Sequence, residues 1–416
     1  SGGEISSDGG GALLLRQTER RFGLLAAAAK CLPDDRADGR VRHTRLAQLT
    51  QRVFAIALGY EDLNDHDHLR HDLALKTAMS QRHAASSSPT WCRFENAMDR
   101  AVAVGLHEVL IDQFIARQAS TPSELILDLD ATDDRVHGRQ EGRFFHGYYD
   151  NYCFLPLYVF CGEELLVSYL RPANIDGAHH AAAIVKLLVK KLRAAWPEVH
   201  ITVRADSGFC RRRLLLWCER HGVDYVIGLA RNNRLAALAQ PAINAAETRF
   251  EKDKLKHRDF AEIHYAAKTW ARKRRVIVRT EHGEQGSNPR YVVTNRQDAP
   301  ATIYDAIYCQ RGEMENRIKE QQLGLFADRT SCSAWWPNQF RLLLASLAYT
   351  LMQNIRSHAL AGTELAKAQC TTIRLKLFKI GAVIIHSVRR IRFLLPSACP
   401  YRELFALAAQ RLAPSG

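Results

Sequence analysis

Between residues 125 and 229 the sequence sets short apolar runs, each too brief for a helix, between stretches of helical length and pattern. Leu125 to Asp130 alternates apolar and acidic residues toward its end, as a strand does. Phe154 to Phe160 and Glu164 to Leu170 are two further runs around Cys161-Gly162-Glu163, a hairpin signal. A helical pattern over Ala178 to Trp196 stops before Pro197; a strand from Ile201 to Asp206 stops at Ser207-Gly208. Cys210 to His221 is again helical, and Asp224 to Leu229 is one more strand, followed by a helical stretch near Leu235. Crossovers of this length between strands require parallel pairing, so a mixed sheet with helices on its faces follows.

Strand, hairpin pair, helix, strand, helix, strand, helix is the succession of the ribonuclease-H-like α/β fold: a mixed sheet flanked by helices. Residues 1–120 read as an α-helical DNA-binding region. Leu46, Leu49, Val53 and Ile56 recur at helical spacing there, and Ser88-Pro89-Thr90 signals the start of another helix. The run Tyr60 to His68 mixes carboxylates and imidazoles that are adjacent rather than gathered on one face, which favours a helix-capping loop over a metal site. The core then divides into a first part at 121–240, a β-rich insertion at 241–289 and a second part at 290–360. That second part contains the strand Tyr291 to Thr294 and helices over Ala301–Leu323 and Asn338–His358. A basic C-terminal region, 361–416, completes the chain.

Two acidic residues end apolar strands, Asp130 before Ala131-Thr132 and Asp206 before Ser207-Gly208. Ligands gather outside the carboxyl ends of parallel strands, and if the two strands are neighbours these carboxylates face one crevice. Oxygens of this kind suit Mg²⁺, which takes one or two carboxylates and keeps water and phosphate oxygens; capping of the next helix is the plainer role for each Asp alone. Asp128 shares a strand face with Asp130, as an auxiliary ligand, a hydrogen-bond partner or an exposed group. Further on, Tyr308, Arg311, Glu315 and Gln322 are 3, 4 and 7 residues apart and form one helical stripe. Glu313 points elsewhere. Arg311 is either a fork for a phosphate or the partner of Glu315 in a solvated i,i+4 pair.

Charge narrows the partner. There are 58 Lys+Arg against 44 Asp+Glu, a net charge of +14, and such an excess favours a polyanion because neutralised phosphates release counterions. The longest apolar stretch, Leu342 to Met352, is broken by Ser346 and Thr350 and is too short for a membrane span. No secretory leader is visible, and a start at Ser1 rather than Met suggests a trimmed beginning. Ten Cys without a C-x-x-C pair read as reduced thiols of a cytoplasmic protein.

These phrases carry a resemblance. Leu127 to Thr132, His137 to Gly142, Arg204 to Phe209 and Tyr308 to Glu320, in that order, resemble the DDE transposases of bacterial insertion sequences, in the family numbered 1380 and close to the family numbered 4. The likeness runs from Arg42-His43 and Gly59 to Asp62 through to Ile373 to Lys376. It implies that Asp130, Asp206 and Glu315 are a triad holding two Mg²⁺ ions, with Mn²⁺ as a substitute. It also implies a ribonuclease-H-like fold with a β insertion, and a nucleoid-associated enzyme that joins transposon-end DNA to target DNA as a homodimer in a paired-end complex. Tyr308 and Arg311 match the start of a Tyr-Arg-Glu-Lys signature that contacts transposon-end DNA. The signature's Lys position holds Gln322 here, with Lys319 one turn earlier as its substitute.

Trp270, among Lys268, Arg272, Lys273, Arg274 and Arg275, is either a core residue or a base-stacking one, the latter being the role of an insertion-domain Trp in related transposases. His137, Gln140, Glu141 and His146 are placed to edge the site. A stand-alone nuclease and a non-enzymatic DNA-binding descendant of a transposase are the competing functions.

Overall fold

The structure is a computed structural model that describes residues 4–36, 41–387 and 390–413. Its main sheet contains β1 (Glu124–Ala131), β2 (Leu157–Cys161), β3 (Glu164–Tyr169), β4 (His200–Ala205), β5 (Asp224–Leu229), β6 (His257–Tyr265), β7 (Arg274–Gly283) and β8 (Arg290–Thr294). The spatial order is β6-β7-β8-β5-β4-β1-β2-β3, with the short strand Gly286–Ser287 beside β7. Only β1, β4 and β5 run parallel; every other pairing is antiparallel. The order β3-β2-β1-β4-β5, with β2 reversed, is that of the ribonuclease-H-like fold.

Alternation along the strands decides which face meets which layer. Leu125, Leu127 and Leu129 of β1, Ile201, Val203 and Ala205 of β4, and Tyr225 and Ile227 of β5 are buried on one face. They pack with Val185, Leu188 and Leu192 of the helix Ala181–Ala195 and Leu214, Leu215 and Cys218 of the helix Arg212–Arg220. The other face carries Asp128, Asp130, Arg204 and Val226. Val226, Ile277 and Val292 there bury Ile303, Tyr304 and Ile307, which open a composite helix. That helix is π-helical over Thr302–Ile307, 3₁₀ over Tyr308–Arg311, α over Gly312–Lys319 and π again over Glu320–Gly324.

Three expectations change. The strands expected as an insertion at 241–289 extend the main sheet, and position 241 lies inside a helix, Asn233–Asp253. An interior proline costs a helix about 3 kcal/mol, which is why Pro241 reads as a break. Here Leu235, Ala239, Ile243 and Ala246 on one helical face are buried and hold the helix together. Next, the apolar run 154–160 splits at Pro156. Phe154 ends a strand of a small separate sheet, made by Asp134–Arg135, Phe144–His146 and Asn151–Phe154, while β2 begins at Leu157.

Finally, the helical region 1–120 and the tail 361–416 have no cores of their own. The helices Ala12–Phe22, Arg45–Leu58 and Arg100–Ala116 share one apolar cluster with the helix Trp335–Asn354 and with Cys370, Ile373, Leu377, Phe378, Ala408 and Leu412. The strand Glu4–Ser7 pairs antiparallel with Ala382–His386, setting Ile5 opposite Ile384. All ten cysteines are unpaired, and among the described residues no helix is long and apolar enough to cross a membrane.

Candidate active site at the carboxyl ends of the parallel strands

Because β1 and β4 are parallel neighbours with Leu129 opposite Ala205, Asp130, still paired with β2, and Asp206, just past the end of β4, stand at the same level. Both carboxylates bind local backbone. Asp130 Oδ1 accepts from the Ala131 amide at 2.9 Å, and Asp206 Oδ1 accepts from the Gly208 amide at 2.8 Å, capping the short turn Ser207–Phe209.

The composite helix lies across these strand ends. Tyr308 approaches β5 at Gly228, where an added Cβ would stand 2.6 Å from the tyrosine hydroxyl and 2.9 Å from the Ser207 amide nitrogen. Arg311 spans the gap, with Nη1 3.4 Å from Asp130 Oδ2 and Nη2 2.8 Å from Glu315 Oε1. Gln322 donates its amide to the Asp133 carbonyl at 2.9 Å. Tyr308, Arg311, Glu315 and Gln322 therefore meet the strand ends as one stripe, although the helix that carries them is regular only over eight residues. Lys319 is exposed and has no ion-pair partner among the described residues.

The electrostatics record this convergence. Asp130 is pushed up to about 6, chiefly by burial and in part by Asp206 and Glu315, with the Arg311 guanidinium pulling the other way. Burial also opposes the charge on Arg311, yet Asp130 and Glu315 outweigh it and hold the guanidinium above its ordinary value. The donor set is all hard oxygen, on two strand ends and one helix. As the side chains stand, the described residues contain no group of three His, Cys, Asp or Glu drawn together tightly enough to enclose a metal. Mg²⁺ does not need such enclosure, since water and substrate oxygens fill most of its octahedron.

Trp270 is not brought here. Arg275 of β7 faces Thr294 of β8, which faces Val226 near the start of β5. The β6–β7 connection that holds Trp270 thus emerges at the opposite end of the sheet from Asp130 and Asp206. The indole is half-buried against Tyr265, with Arg274 4.8 Å from its ring centre.

Among the edging residues, Glu141 accepts from the Trp335 amide at 3.0 Å and Gln140 reaches the Thr330 carbonyl at 3.5 Å, so they tie loops together. His137 is exposed and His146 half-buried in the small sheet.

Arg204, which the sequence offered only as part of the resemblance, explains Asp128. It donates to both Asp128 oxygens, with Nη2–Oδ2 at 2.6 Å, and its Nη1 donates to the Ile307 carbonyl at 2.5 Å. Asp128 and Arg204 are almost fully buried. One guanidinium so joins β1, β4 and the composite helix, fixing the helix over the strand ends. The signal was available: Arg204 stands two residues before Asp206, as Asp128 stands two before Asp130, and period-two spacing puts each pair on one face.

Fold and side chains describe one class of protein, a ribonuclease-H-like chain with carboxylates gathered where its parallel strands end. The family model described as "Transposase DDE domain group 1" matches residues 1–416, and the chain belongs to that family of DNA transposases. No protein with a curated description matches. Among solved structures, the chain is similar to a piggyBac transposase in a cryo-EM synaptic complex with hairpin DNA. The identity is 13% over 97% of this chain and 82% of that one, with a TM-score of 0.42.

Proposed function

We propose that this transposase binds the terminal inverted repeats of its element, cuts the element's ends and joins the freed 3′-OH groups to target DNA, with Asp130, Asp206 and Glu315 as ligands of two Mg²⁺ ions. The supporting observation is the reach of Arg311 to both Asp130 and Glu315, which brings a helix carboxylate within one side chain of a strand-end carboxylate. When bound, the ions supply an activated nucleophile and a stabilised leaving oxygen for in-line displacement. Asp130, Asp206 and Glu315 would hold the ions only in the ionised form, so loading weakens as pH falls through about 6, where Asp130 takes up a proton. Arg311 neutralises the carboxylates beforehand, then presents its fork to a phosphate. Tyr308 contacts the DNA beside it, and Lys319 supplies the charge that Gln322 lacks.

End recognition falls to the N-terminal helices. Arg36, Arg42, Arg45, Arg70 and Arg93 line a cavity of about 480 Å³ there, a concentration of guanidinium suited to phosphates. Pairing of two ends calls for a homodimer. The test is a reaction of full-length protein with end DNA, Mg²⁺ and a plasmid target, resolved on a denaturing gel. Asp130→Asn, Asp206→Asn and Glu315→Gln each abolish cutting and joining while leaving end binding intact. Retained Mg²⁺-dependent strand transfer in any of the three refutes the assignment; cutting without joining by the unaltered protein turns the reading toward a nuclease.

A further inference from the structure

The small sheet between β1 and β2 has no part in the chemistry described above, and its composition is unusual. Four aromatic side chains among the described residues are exposed, and all four lie on this one hairpin: Phe144 (41%), Phe145 (53%), Tyr148 (85%) and Tyr152 (49%). Phe145 pairs across the strands with Tyr152, their rings 5.6 Å apart and edge to face, and the Arg143 guanidinium stacks 4.7 Å from the centre of the Tyr152 ring. Tyr148 occupies the turn. Arg135, His137 and Arg139 are exposed on the approach to it.

This exposure belongs to an anchored element. Glu141 binds the backbone of Ser333 and Trp335, and Gly142, at φ +79°, leaves no room for a Cβ, which would stand 2.5 Å from the Trp335 ring. Asn151 donates to Asp133 at 3.2 Å. Tyr149, beneath the turn, reaches the Ala131 carbonyl at 3.5 Å. Ala131 follows Asp130, so the hairpin rises directly beside the carboxylates. A folded chain gains nothing by holding four aromatic faces in water, and such patches mark binding surfaces.

We infer that the hairpin 143–152 is a stacking platform for unpaired DNA bases next to the scissile phosphate, with Phe145, Tyr148 and Tyr152 as the stacking faces and Arg135, Arg139 and Arg143 along the backbone. Paired bases already have both faces covered, so only a strand opened at the cut offers a ring to these side chains. Aromatic faces within a basic rim are the arrangement that holds single strands irrespective of sequence. Of the exposed acids nearby, Glu141 is held by the Trp335 amide, which leaves Asp150 alone against Arg135, Arg139 and Arg143. The inference rests on the proposed location of the cutting site at Asp130 and names the part of the substrate held beside it.

The test uses full-length protein and a splayed DNA, a duplex opening into two unpaired arms, with 2-aminopurine in one arm at the junction; the fully paired duplex of the same sequence is the reference. The unaltered protein binds the splayed DNA about tenfold more tightly than the duplex, as one or two stacked bases provide, and quenches the probe. Phe145→Ala with Tyr148→Ala removes that preference and the quenching, while Tyr148→Trp retains both. Arg135→Ala weakens splayed and paired DNA alike. A double variant that keeps the splayed preference and the quenching overturns the inference. So does a double variant that keeps both yet changes from dimer to monomer in the same samples, which makes the face a contact between copies. Cutting by Asp206→Asn would remove the catalytic reading without touching the stacking result, so the two failures are distinct.

Discussion

Replacing Arg204 by Met tests whether one buried guanidinium holds the catalytic helix to the strands. The substitution leaves Asp128 with no cation and the Ile307 carbonyl with no donor. Breaking a buried pair from one side costs about 3–5 kcal/mol, and an orphaned buried carbonyl about 1–3 kcal/mol within that total. Burial already pushes Asp128 above the usual carboxylate range with Arg204 in place, and without Arg204 the push is larger. A carboxyl raised in the folded state binds more protons folded than unfolded, so its stability contribution is intact below the unfolded value of 3.8 and falls as pH rises through the folded value. The Arg204→Met deficit is therefore smaller at pH 5 than at pH 8, while the loss at the Ile307 carbonyl is the same at both.

Adding Asp128→Leu removes the stranded charge and leaves only the carbonyl, so the double variant recovers to within about 1–3 kcal/mol of the unaltered protein. Urea unfolding at the two pH values reads both variants. A loss below about 1 kcal/mol for Arg204→Met at pH 8, or a double variant no more stable than the single one, would refute the reasoning.

Other substitutions address separate features. Gly228→Ala places a methyl group against the Tyr308 hydroxyl and the Ser207 backbone; it lowers stability by about 1–3 kcal/mol, and adding Tyr308→Phe restores only part of this in thermal melts. Burial holds the Asp134 carboxyl well above 3.8, with Thr330 donating to one oxygen at 2.8 Å. Its contribution thus falls as pH rises from 3.8, and Asp134→Asn flattens the decline of melting temperature with pH. For Arg42→Ala combined with Arg93→Ala, the slope of log affinity for duplex DNA against log salt becomes shallower by about 2, the loss of two phosphate contacts. An unchanged slope would remove the arginine-lined cavity from the DNA path.

The parts of this molecule legible in its sequence are those governed by short-range periodicity. β1, β4 and β5 were visible as apolar runs because both of their faces are covered, and Asp130 and Asp206 stood out as the polar residues ending them. Tyr308, Arg311 and Glu315 were found by helical spacing, and they meet the strands as that spacing implies. The hairpin 143–152 was not found, because exposed aromatic residues interrupt the alternation by which strands are recognised. Pro241 suggested a boundary where tertiary packing carries a helix through. Trp270 was judged by its basic neighbours, but its position depends on the register of β7 against β8 and β5, and pairing across many residues leaves no local trace. The sharing of one apolar cluster by residues 12 and 412 is hidden for the same reason.

The pairing of Glu4–Ser7 with Ala382–His386 bears on how the chain matures at the ribosome. This strand pair cannot form until translation has passed residue 386, so Glu4–Ser7 waits unpaired while every residue up to its partner is made. A copy cut short before Ala382 lacks the partner of Glu4–Ser7, and an unpaired strand edge is a template for association with other chains.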